Sequence, residues 1–165
     1  MAYPFSLAEN FKLVSATPLG AQTTNGGIAA FRPISLRHVH KVWLVAVFQQ
    51  DGAHATTIQP LVGATVATAN AAITFAARNW RNADVATTDT LVELAAATTC
   101  ACTNAATDQM LVIEIDPADV IMQNATFDCL GASIAAGAGA GNFVGAVWVC
   151  AMRYEQATPP SVIVD

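Results

Sequence analysis

The run from His38 to Phe48, His-Val-His-Lys-Val-Trp-Leu-Val-Ala-Val-Phe, constrains the fold more than any other part of the chain. It is dense in valine, so it reads as a buried strand. Gln49-Gln50-Asp51-Gly52-Ala53 follows directly. Asp-Gly between extended runs is a strong hairpin signal, because a type I′ turn needs positive φ at both central residues. With Asp51-Gly52 as a two-residue loop, Gln50 pairs with Ala53. Val47 then faces Thr56, Val45 faces Ile58, and Trp43 lies opposite Pro60. That register predicts a core face carrying Trp43, Val45, Val47 and Ile58. Pro60 has no N–H for a ladder, so the second strand is expected to end there or to lie at an edge.

Further strands are expected over 72–80, 90–96, 110–115, 126–132 and 143–154, with turn residues between them. Asp116-Pro117-Ala118-Asp119 reads as a turn in which proline presets the first position. The last strand carries Val147 and Val149 on one face and Trp148, Cys150 and Met152 on the other. Apolar on both faces, it is expected to be central and covered twice. No segment shows a convincing 3.6-residue period. These features predict a single all-β domain over 1–165, an antiparallel β-sandwich or barrel, with a jelly roll as one form of it. Residues 1–30 read as an irregular N-terminal arm, 131–141 as a Gly/Ala loop, and 157–165 as an extended C-terminal tail.

Composition narrows the function. The hydrophobic fraction is 54%, but 34 residues of the chain are alanine. No window approaches the roughly 18 large apolar residues of a spanning helix, so no membrane partner is expected. The opening Met1-Ala2-Tyr3-Pro4-Phe5 lacks the features of a secretory signal, which suggests a product made and kept in the cytoplasm. A net charge of −5 with two lysines argues against nucleic acid as a partner. Cys100, Cys102, Cys129 and Cys150 lack C-x2-C spacing and lie mostly in apolar runs, so they read as buried free thiols.

Candidate chemistry is sparse. His38 and His40 share one face of a strand, the arrangement a cupin metal site uses, but no carboxylate follows and His54 lies near the expected hairpin tip. Two ligands do not make a site, so neither metal nor cofactor is expected. The Gly137–Gly141 run lacks the Lys-Ser/Thr of a phosphate loop. No G-x-S-x-G elbow occurs, and Ser133 and Ser161 have no histidine near them in sequence. Asp116 and Asp119 flank a proline turn, where capping the backbone is their expected task. The chain reads as a non-enzyme.

Several stretches together carry a resemblance: Arg37 to Pro60, Val112-Ile113-Glu114-Ile115-Asp116-Pro117-Ala118, Phe127-Asp128-Cys129, and Arg153-Tyr154-Glu155-Gln156-Ala157 before Pro159-Pro160-Ser161-Val162-Ile163-Val164-Asp165. The set resembles head decoration, or cement, proteins of tailed bacteriophages. The resemblance implies a β-rich virion protein, often trimeric, that binds the major capsid protein on the outside of the expanded capsid. A tail or connector component is a second expectation. A carbohydrate-binding sandwich is a third, with Trp80 as its exposed platform. Uncovered sheet edges with little charge protection also favour a closed homo-oligomer. Pro159-Pro160 stiffens the tail before the β-branched Val162, Ile163 and Val164. Near the start, Tyr3, Phe5, Leu7 and Phe11 alternate with small or polar residues. Tyr3, Phe5, Val162, Ile163 and Val164 are therefore the expected assembly contacts, by strand addition to a neighbour or the capsid.

Overall fold

The computed structural model describes residues 11–18, 30–50, 55–135 and 142–153. Within them, alternating apolar and polar residues build two antiparallel sheets packed as a sandwich. The large sheet orders β1 (Phe11–Ser15), β11 (Phe143–Met152), β3 (Val39–Gln49), β9 (Asp108–Ile115), β6 (Ala77–Asn82) and β7 (Val92–Ala97). The small sheet orders β2 (Ala30–Ser35), β10 (Cys129–Ala135), β4 (Thr57–Gly63) and β5 (Ala71–Ala72), and the short β8 (Cys100–Ala101) also pairs with β4.

The pairing is nested. First strand meets last (β1 with β11), second meets next to last (β2 with β10), β3 meets β9, and β4 meets β5. Rolling that long double ribbon over brings β11 against β3 and β10 against β4. This is jelly-roll order, with the β6–β7 hairpin extending the large sheet beyond β9.

The core lies between the sheets. From the large sheet it takes Val42, Leu44, Ala46 and Phe48 of β3, Leu111, Ile113 and Ile115 of β9, and Val144, Trp148 and Cys150 of β11. From the small sheet come Phe31, Ile34, Ile58, Val62, Leu130, Ala132 and Ile134. Trp148 is 1% exposed, and its indole N–H donates to the Arg32 carbonyl at 2.8 Å. That bond ties the centre of one sheet to the edge of the other.

The structure corrects the hairpin. β3 and β4 belong to opposite sheets, so Val45 pairs with Val112 and Val147, while Ile58 pairs with Ile134. Residues 51–54, including Asp51, Gly52 and His54, lie outside the described residues. The parity on β3 is also reversed: Trp43 and Val45 are half-buried and Val47 is exposed, whereas their even-numbered neighbours fill the core. A strand apolar on both faces cannot report which face is inside, and the assumed turn selected the wrong one.

β4 also continues through Pro60 to Gly63. The Pro60 carbonyl accepts from Ile73 N–H, so its imide nitrogen points the same way, between the stretches paired with β8 and β5. The missing donor forgoes only the reciprocal bond to Ile73, at the end of the β4–β5 pairing.

Other differences are local. Part of the expected irregular arm is strand, since β1 pairs with β11 over its whole length and β2 lines β10. The stretch 72–80 divides into β5 and β6, and β10 runs through Gly131 to Ala135 rather than ending in a loop there. Asp116 does not lead into a simple turn: it caps a short helix, α1 (Pro117–Gln123), accepting from Ala118 N–H at 2.9 Å, with Pro117 in the first turn.

All four cysteines are free and buried, as expected. Desolvation pushes the thiol of Cys100 up to about 11 and those of Cys102 and Cys150 up to about 12, from 9.0. Folding therefore holds protons that the unfolded chain releases. The stability these thiols contribute is fully present below about pH 9 and is lost as pH rises toward their folded values. Two measurements check this. A thiol reagent at pH 8 should label the native protein slowly and the denatured chain at once. Urea midpoints should fall between pH 9 and pH 11. Fast native labelling or a flat alkaline profile would contradict the burial.

Candidate functional site

The chemistry-bearing residues do not converge. His38 and His40 are both exposed, and among the described residues no group of three or more His, Cys, Asp or Glu is placed to hold a metal. Ser133 is half-buried on β10, while Ser161 and the Gly137–Gly141 run lie outside the described residues. Asp84 accepts from Ala86 N–H and the Thr87 hydroxyl, which makes it a local loop cap. No described helix is long and apolar enough to cross a membrane. Tyr3, Phe5, Val162, Ile163 and Val164, the expected assembly contacts, also lie outside the described residues.

The unusual feature is the outward face of the large sheet. An antiparallel sheet with one face on the core usually turns a polar face to water. Here the register lines up a different set. One row across the strands reads Leu13, Val149, Trp43, Glu114 and Arg78. The next reads Ser15, Val147, Val45, Val112 and Trp80. A third reads Gly145, Val47 and Met110. Leu13, Val47 and Phe143 stand out from this surface at 49%, 42% and 42% exposure. The small sheet behaves ordinarily, with Arg32, Gln59 and Ser133 among its outward residues.

Charge gathers at one corner and at the far end. Glu114 is the hub of one corner: it accepts from Lys41 Nζ at 3.1 Å and from the Trp43 indole N–H at 2.8 Å, with Arg78 at 3.6 Å. Arg78 also donates to Glu93 at 2.9 Å and lies 4.8 Å over the Trp80 ring. Asp108 and Gln49 sit opposite each other at the far end. Phe11 meets Trp43 edge-on, with ring centroids 6.0 Å apart.

Beside Gly145 the face is dented. A depression of about 500 Å³ opens there, lined by Ser15, Thr17, Val47, Gln49 and Phe143 among others. A Cβ on Gly145 would meet nothing within 4 Å.

Sequence reasoning missed this surface although its signal was present. β3 and β11 are apolar at both parities. The sequence predicts a last strand covered twice, whereas β11 is central within its sheet and turns Gly145 and Phe143 out exposed. No family model matches the chain, and no curated protein or solved structure is significantly similar to it.

Proposed function

We propose that this chain is a structural virion protein that binds the outer surface of a tailed-phage capsid and stabilises it as a decoration, or cement, protein. One observation carries the reading: among the described residues, a jelly roll leaves the broad face of its larger sheet largely apolar, with its charge gathered around Glu114 at one corner and at Asp108. A monomer gains nothing from such a face, whereas an assembling subunit does. The resemblance noted in the sequence supplies the capsid as the partner. The thiols sit unreactive in the core, and the described side chains serve packing, capping and ion pairs. That inventory suits a stiff element without catalytic duty. The working unit in this reading is a homo-oligomer, with three copies preferred, made in the host cytoplasm and placed on the capsid exterior.

The carbohydrate reading gains little from the geometry. Trp80 lies under Arg78, and Trp43 is held by Glu114 and flanked by Phe11, so both rings are already engaged within the chain. The test is co-sedimentation of the purified protein with undecorated, expanded capsids of the phage that encodes it. Saturable binding at a fixed number of copies per capsomer is expected. Capsids that sediment without the protein at saturating concentration would overturn the reading.

A further inference from the structure

We infer that the outward face of the large sheet, centred on Gly145, is the surface on which copies of this chain meet one another. The inference deepens the reading above, because it rests on the proposed oligomer and names the surface that closes it.

Glycine in the interior of a strand weakens it, and it marks a bulge, a bend or a place where another backbone comes close. The other two described strand glycines are explained within the chain. A Cβ on Gly63 would sit 2.3 Å from the Thr68 carbonyl oxygen, and one on Gly131 would touch Pro33 and the Ala69 carbonyl at 3.4 Å. Among the described residues Gly145 has no such reason, since none of them lies above it and its pairing with Val47 is regular. The close approach of a second copy would supply one.

The extent of the face matches an interface between subunits. Five strands at a spacing of about 4.8 Å, and the length of β3 from 41 to 49 at about 3.3 Å per residue, give roughly 500 Å² of projected area. Counted on both partners, that reaches the roughly 1,000 Å² at which specific interfaces begin. Its anatomy is that of a homo-oligomer contact, with valine, methionine and tryptophan at the centre, Glu114 paired with Lys41 and Arg78 toward one corner, and Glu93 and Asp108 at the rim. The same face also carries both projections (Leu13, Val47, Phe143) and a depression (at Gly145), which a copy of itself complements.

Gly145→Glu tests this directly, because the added side chain enters open space in its own subunit and puts a charge at the centre of the contact. By sedimentation velocity, the wild-type protein should run as an oligomer and Gly145→Glu as a monomer with an unchanged circular dichroism spectrum. Met122→Glu, on α1 and 84% exposed, should leave the oligomer intact. If Gly145→Glu does not fold, Val47→Lys takes its place at a position already 42% exposed. Association about tenfold weaker or worse is expected from either variant. A wild-type monomer, or an oligomer indifferent to both variants, overturns the inference. Co-sedimentation with capsids separates the two claims. A wild-type monomer that still saturates capsids sinks this surface as a self-contact and leaves the capsid reading standing. Loss of that binding in Gly145→Glu would then assign the face to the capsid. An oligomer disrupted by Gly145→Glu whose wild type ignores capsids does the reverse.

Discussion

Replacing Trp148 with alanine should cost about 3 to 5 kcal/mol, the range for deleting a large aromatic side chain from a packed core. The ring is 1% exposed, on a strand bonded to neighbours on both sides. Its N–H is also committed to Arg32 O across the sandwich, so truncation leaves an acceptor of β2 without that donor. Against a total of about 5 to 15 kcal/mol for an ordinary domain, such a loss removes a large part of the stability. Equilibrium guanidinium unfolding should show a much lower midpoint with little change in slope. Trp43→Ala is the informative comparison. Its ring lies on the outward face, half-buried, and the same experiment in the Gly145→Glu background should give a much smaller loss. Equal losses at the two tryptophans would contradict the assignment of inside and outside on β3 and β11.

Gly63→Ala should be nearly as damaging, for the opposite reason. Every nearby obstacle is backbone: Thr68 O at 2.3 Å, with Thr68 C and Ala69 Cα at 2.6 Å. These atoms belong to the 3-10 turn Val66–Thr68 and the residue after it, which fold back over the end of β4. A rotamer change cannot relieve the clash, so the turn itself has to move. Overpacking of this kind costs about 3 kcal/mol and occasionally more. Thermal unfolding followed by circular dichroism should show a drop of several degrees. Gly145→Ala, with open space around its Cβ, should leave the monomer's stability unchanged or raise it, because alanine restricts the unfolded chain more than glycine does. A Gly63→Ala protein as stable as the parent would mean that this close approach is not what glycine serves there.

These contrasts also mark what the sequence can and cannot say. Strand positions were legible, because valine-rich and alternating runs at 39–49, 108–115 and 143–152 have no helical reading. Two-layer packing followed, and so did the buried thiols, since Cys129 and Cys150 lie in apolar runs. Strand pairing was not legible. Asp51-Gly52 is a local signal, and a jelly roll sends successive strands to opposite sheets, so tertiary topology overrode it. β2 escaped notice because Arg32 and Pro33 break its pattern, which an edge strand tolerates. The helix Pro117–Gln123 is too short to show a period, and only its Asp116-Pro117 cap announces it. The candidate surface was half legible. Apolar residues at both parities of β3 and β11 signalled that both faces meet something, but a single chain's sequence does not separate a second layer of its own from another subunit.

The proposed place on a capsid is tested by electron microscopy of particles that carry this chain. The expected map shows density for the sandwich on the outer capsid surface, in symmetric clusters, with the large sheet's outward face turned into the contact between copies. A capsid exterior bare of this protein, or density confined to the tail or connector, would contradict it.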